Sequence, residues 1–140
     1  MIKIVSKEIH IDLSNKFFKR AEQFIGSNDY ECMALATESL LVSLDHLIDA
    51  HLSYIGTWNA GRKERYDRFS REVLEDDVYI KFEKDRDIIK KIYRKIFIWR
   101  NRLLYARDAI LYDIKTTKPK IMELITNAKE CREIIKNQVL

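Results

Sequence analysis

Residues 29–55, DYECMALATESLLVSLDHLIDAHLSYI, decide the fold. Ala34, Thr37, Leu41, Leu44, Ile48 and His51 recur at intervals of three and four. That spacing puts side chains on one face of an α-helix. Ala36, Leu40 and Leu47 form a second apolar face. A helix apolar on two sides is central to a bundle or also faces a partner chain. Asp29 can cap its start, and Gly56-Thr57-Trp58-Asn59-Ala60-Gly61 breaks it.

Upstream, Gly26-Ser27-Asn28-Asp29 ends an expected helix over residues 13–26. Asp12 or Ser14 can cap that helix, and Gly26 suits a left-handed end. Phe17, Ala21, Phe24 and Ile25 share one face of it. Residues 1–12 alternate weakly and read as an N-terminal arm or short strand. Downstream, residues 62–76 are dense in both charges, with Tyr66, Phe69, Val73 and Leu74 at helical spacing. They read as a short exposed helix or a connection. Helical pattern resumes over residues 78–110, with Ile89, Ile92, Ile96, Trp99 and Leu103 as its core seam. Pro119 suits the first turn of a last helix over residues 118–138, which carries Ile121, Leu124, Ile125, Ala128, Cys131 and Ile135. The expectation is an all-α, antiparallel bundle of four to five helices. One domain spans residues 1–140, with the arm at 1–12 and the bundle at 13–138.

Composition points the same way. The chain of 140 residues is the size of one domain, and 46% of it is apolar, enough for a core. Three Gly and one Pro are few for a turn-rich all-β fold. Cys32 and Cys131 lie far apart in helical patterns and read as free, buried thiols. No apolar run approaches the ~20 residues of a membrane span. The N-terminal apolar patch is too short for a signal peptide. A cytoplasmic protein without membrane contact is expected.

Net charge is +4, unevenly placed. Residues 81–107 hold ten Lys or Arg against three acids, a local +7 that leaves −3 for the remainder. Such an excess is a footprint for phosphate or an acidic partner, or simply a solvated face. On a helical projection, Lys84, Lys91, Lys95 and Arg102 share an exposed stripe, while Arg100 and Arg107 lie beside Tyr93 near the core side. A semi-buried Arg100 must find acceptors. Glu38, Asp45 and Asp49 of the second helix are the candidates, the last two sharing a face. Tyr93, Phe97, Trp99 and Tyr105 lie among these cations, where aromatic rings can stack on bases or pack as core.

Arg100-Asn101-Arg102-Leu103-Leu104-Tyr105 resembles the Arg-Asn-x-x-x-His motif of HEPN domains. These are small helical bundles found in prokaryotic toxin–antitoxin pairs and beside nucleotidyltransferases. Ala21-Glu22-Gln23-Phe24, Asn28-Asp29-Tyr30 and Met33-Ala34-Leu35-Ala36 are similar to the family's first two helices, and the likeness covers residues 13–138. In HEPN ribonucleases the His works with the Arg in metal-free RNA cleavage. That chemistry needs an acid–base group and a cation for the phosphorane. Tyr105 occupies the His position and Arg107 the position of a further Tyr in some relatives. A tyrosine titrating near ~10 is a poor base at neutral pH. The resemblance therefore implies a binding or partner module more than a nuclease. It also implies a homodimer, and possible nucleotidyltransferase-type, toxin or antitoxin partners.

Other chemistry is sparse. Asp45, His46, Asp49 and His51 lie close along the second helix, but His46 points away from the two carboxylates and His51 joins the core seam. The paired Glu-x-x-His segments of a di-iron bundle are absent. There is no Gly-rich phosphate loop, nucleophile elbow or HExxH. No metal, cofactor or catalytic residue is expected. The ligand-binding residues expected are Arg100, Asn101, Arg102, Tyr105 and Arg107, for RNA, a nucleotide or a partner protein. The rivals are an atypical metal-independent ribonuclease and a structural helical protein with no nucleic-acid role.

Overall fold

The computed structural model describes residues 6–55, 85–105 and 112–139. They form four α-helices: α1 (Lys7–Ile25), α2 (Tyr30–Ile55), α3 (Arg86–Leu104) and α4 (Ile114–Val139). The all-α bundle expected from sequence is observed. Cross-helix contacts give its topology. His10 meets His46 and Ser14 meets Ser43; Tyr93 meets Asp45 and Arg100 meets Glu38; Lys118 meets Asn28 and Arg132 meets Asn15, so that α4 runs opposite to α1 and to α3. Each helix thus runs antiparallel to the one before it. The expected helix over 62–76, the ends of the 78–110 helix and Arg107 lie outside the described residues.

α2 packs against all three other helices. Met33, Leu40, Leu44, Leu47 and Ile48 are buried along it, meeting Ile89, Ile96 and Leu103 of α3 and Ile121, Leu124, Ala128 and Ile135 of α4 in one core. Burying each large aliphatic contributes ~1.5–3 kcal/mol. Both apolar faces of α2 are therefore covered within its own chain, so this feature does not call for a partner. Asp29 caps α2 as expected: its Oδ1 accepts from the Glu31 N–H at 2.9 Å.

α1 begins at Lys7, six residues before the expected start. Residues 7–12 are helix, not arm. Ser6 is the cap, its hydroxyl accepting from the Ile9 N–H at 3.3 Å. Asp12 instead pairs with Lys16 one turn on, at 2.9 Å. Ser14 is not a cap either: the buried face of α1 is His10, Ser14, Phe18 and Ala21. Half of that face is polar, which hid it from apolar periodicity. The Ser14 hydroxyl donates to the Ser43 carbonyl at 2.7 Å, and the Ser43 hydroxyl donates to the Ser14 carbonyl at 2.8 Å. Arg132 of α4 completes the seam. Its Nε donates to Ser14 Oγ at 3.4 Å, its Nη2 donates to Asn15 Oδ1, and its guanidinium lies 4.5 Å from the Phe18 ring centre. Burial lowers the Arg132 pKa, opposed by Glu133 and Glu22.

Two helix ends differ from expectation. Gly26 has φ −67° and ψ −20°, the right-handed region. α1 ends by tightening: Gly26 N–H bonds the Gln23 carbonyl and Ser27 N–H the Phe24 carbonyl, each three residues back. α4 starts at Ile114 because Asp113 caps it, accepting from the Lys115 N–H at 3.1 Å and the Thr116 hydroxyl at 2.9 Å. Pro119 thus lies inside the helix, where it forgoes one backbone bond.

Both cysteines are free; Cys131 is buried and Cys32 half-buried. Burial, with help from Glu130, pushes the Cys131 thiol up to about 12. Unfolded chains ionise a thiol near ~8.5. The stability this group contributes is therefore complete below that pH and is lost as pH rises toward 12. In native protein at pH 8, a thiol reagent is expected to label Cys32 well ahead of Cys131, read by peptide mass mapping. Ser14→Ala and Ser43→Ala are each expected to lower stability by ~1–2 kcal/mol in urea unfolding. The double variant should fall short of their sum, because the two hydroxyls share one clasp.

Candidate functional site

The buried face of α3 is Ile89, Ile92, Tyr93, Ile96 and Leu103. The Tyr93 hydroxyl donates to Asp45 Oδ1 at 2.8 Å. Seven residues further on, Arg100 Nη2 lies 3.6 Å from Glu38 Oε1. Its Nη1 donates to the Asn101 amide oxygen at 3.1 Å. Of the three expected acceptors, Arg100 thus takes Glu38, while Asp45 serves Tyr93. The Arg100 and Glu38 side chains are 22% and 40% exposed, so their pairing stabilises by under ~1 kcal/mol. Arg100 and Asn101 form one polar unit against α2.

Arg102 lies with its guanidinium 4.7 Å from the Trp99 ring centre, a cation–π arrangement. Lys95 reaches α4, donating to Glu123 at 2.8 Å and Asn127 at 3.2 Å. That hydrogen bond, with the charges of Lys95 and Lys120, holds the Glu123 carboxyl below its ordinary range. The expected solvated stripe is therefore partly engaged: Arg102 covers an aromatic face and Lys95 braces α3 to α4. Lys84, its first member, lies outside the described residues.

Tyr105 follows the last turn of α3 and is 63% exposed, its N–H bonding the Asn101 carbonyl at 3.2 Å. Tyr30, named in the sequence only as part of the Asn28-Asp29-Tyr30 likeness, reaches the same end of α3. Its hydroxyl donates to the Leu103 carbonyl, one of the last-turn acceptors a helix leaves open. Its ring stacks on Tyr112 with centroids 4.4 Å apart. Burial, then the neighbouring Tyr112, raise the Tyr30 pKa. Its place directly after the Asp29 cap, within the Asn28-Asp29-Tyr30 likeness, carried no sign of this contact with α3.

On the outer side of α3 lies an open groove of about 630 Å³, lined by Asp87, Lys90, Lys91, Arg94, Lys95, Ile98 and Trp99. Four cations and one acid surround an isoleucine 55% exposed and a half-buried tryptophan. Of the expected binding residues that are described, Arg102 touches this groove's wall, through Trp99. Lys90, Arg94 and Ile98 were not singled out by the sequence.

A second cluster joins α1 to α2. His10 Nδ1 lies 3.1 Å from His46 Nδ1 and 4.0 Å from Asp49 Oδ2. His10 and Asp49 are buried, and His46, half-buried, stacks on Phe17. The expectation that His46 points away from both carboxylates fails for Asp49: ligand atoms of His46, Asp49 and His10 of α1 lie within 4.8 Å of one another. The expected arm at residues 1–12 concealed His10 as their counterpart. His51 is fully buried, as expected for a core histidine.

No protein-family model, curated protein or solved structure matches this chain. Among the described residues, no helix is long and apolar enough to cross a membrane. Tyr30→Phe is expected to lower stability by ~1–2 kcal/mol in chemical unfolding, because the Leu103 carbonyl loses its donor. Glu38→Gln, at the half-buried Arg100 pair, should change it by under ~1 kcal/mol.

Proposed function

We propose that this chain is a HEPN-like, non-catalytic module that binds single-stranded RNA along the outer face of α3. The groove of Lys90, Lys91, Arg94, Lys95, Ile98 and Trp99 carries this reading. A cationic groove with an aromatic wall suits single strands, since the cations track phosphates and the ring stacks on a base. Four helices, with Arg100-Asn101 in the last turns of the third, also accord with the HEPN resemblance. In this reading Arg100 and Asn101 are positioning residues: they hold α3 against α2 through Glu38. Arg102 fixes the Trp99 ring, and Tyr105 extends the face past the helix end.

The position that would hold a catalytic histidine holds Tyr105, and the described histidines lie elsewhere. His46 is eight residues beyond Glu38 along α2, ~12 Å of helix rise, and His10 faces His46. Binding without cleavage is the expected behaviour.

Fluorescence anisotropy with a labelled oligouridine tests the reading. Three or four phosphate contacts predict that raising salt from 50 to 200 mM weakens binding by roughly 20–50-fold. Lys91→Glu combined with Arg94→Glu should reduce affinity at least tenfold at low salt, with the circular dichroism spectrum unchanged. The labelled RNA should stay intact. Cleavage lost in Arg100→Ala would establish the ribonuclease instead. Absence of binding at low salt would leave a structural bundle with a solvated basic face.

A further inference from the structure

The cluster of His10, His46 and Asp49 lies apart from α3 and has no part in the RNA reading. His46 and Asp49 are three residues apart on α2 and so share a face. His10 approaches them from α1. One ligand atom from each residue can be chosen so that all three lie within 4.8 Å of one another.

The distances decide what such a trio can hold. In a tetrahedral zinc site with bonds of ~2.0–2.1 Å, neighbouring donor atoms stand ~3.4 Å apart. The two Nδ1 atoms are 3.1 Å apart, close to that separation. Asp49 Oδ2, at 4.0 Å from His10 Nδ1, is within a small side-chain rotation of it. Two imidazoles and one carboxylate are borderline and hard donors, a set that suits zinc and its first-row neighbours. Magnesium and calcium prefer more oxygen ligands. Burial adds a further argument. Asp49 is 1% exposed and His10 2%, and a carboxylate at that depth is stabilised by a cation beside it. The surroundings orient the donors. Phe17 stacks on the His46 ring at 5.7 Å and 19°, and the Ser14–Ser43 clasp lies one turn along the same seam.

We propose that His10, His46 and Asp49 form a binding site for one divalent transition-metal ion of the zinc class, linking the first half of α1 to the second half of α2. Both histidines ligate through Nδ1, and each keeps its proton on Nε2. Three protein donors leave one tetrahedral position for water. The ion's main effect is on the fold: it crosslinks two helices that otherwise meet through polar contacts here.

Zn²⁺ added to full-length protein freed of metal by EDTA and dialysis is the test. Isothermal titration should give one ion per chain. Saturating Zn²⁺ should raise the thermal midpoint by on the order of 5–10 °C at a hundredfold excess over Kd. Affinity should fall at least tenfold in His10→Gln and in Asp49→Asn. It should also fall in wild type between pH 7.5 and 5.5, as the imidazoles protonate. Should either variant fail to fold, the wild type answers alone, because the chain has three histidines. Imidazole ¹⁵N spectra should then show Zn²⁺ shifting Nδ1 of His10 and His46 and leaving His51 unchanged. A site absent in wild type, undiminished affinity in a folded His10→Gln, or unshifted His10 and His46 resonances would overturn the proposal. The pair would then be two imidazoles sharing one proton.

Discussion

The reciprocal pairing of Ser14 with Ser43 sets the register on which the rest of the bundle depends. Each hydroxyl reaches the other residue's carbonyl, so α1 and α2 meet at one fixed level. A slide of one helical turn, ~5.4 Å, would break both bonds and leave buried hydroxyls without these acceptors. With that level fixed, Phe18 and Ala21 fall into the core and His10 falls opposite His46 and Asp49. Arg132 ties α4 to the same level through Ser14 and Asn15. Small side chains at this seam exchange apolar area for directional bonds, and direction is what specifies register.

The same chemistry explains what the sequence showed and what it hid. α2 was legible from Asp29 to Ile55 because its buried positions are mostly aliphatic at helical spacing. The core positions of α3 and α4 were legible for the same reason. The start of α1 was not, since its inward residues include His10 and Ser14, which read as surface. A Ser that lies four residues after an inward His is visible as a seam only once its partner helix is known. Pro119 misled in the other direction: Asp113 supplied a better start, and the helix absorbed the proline one turn later.

At the candidate site, the projection of α3 correctly turned Arg100 inward and named Glu38 among its acceptors. It could not choose between Glu38, Asp45 and Asp49, because that choice depends on how α3 is shifted along α2. Tyr93 claims Asp45 and thereby places Arg100 at the level of Glu38. The basic residues consequently divide by task. Arg100 and Lys95 brace neighbouring helices, Arg102 covers Trp99, and Lys91 faces outward in the groove. A count of positive charges along the segment does not separate these tasks.

Tyr30 has a consequence for how this end of the bundle moves. It belongs to the first turn of α2, bonds the last turn of α3 and stacks on the residue that leads into α4. Helix termini ordinarily fray independently, at little free-energy cost. Here three termini share one side chain, so the last turn of α3 cannot unwind without disturbing the start of α2 and the approach to α4. Opening of the Arg100–Tyr105 segment is thereby coupled to a larger cooperative unit, and its backbone amides should exchange with solvent at a rate set by that unit.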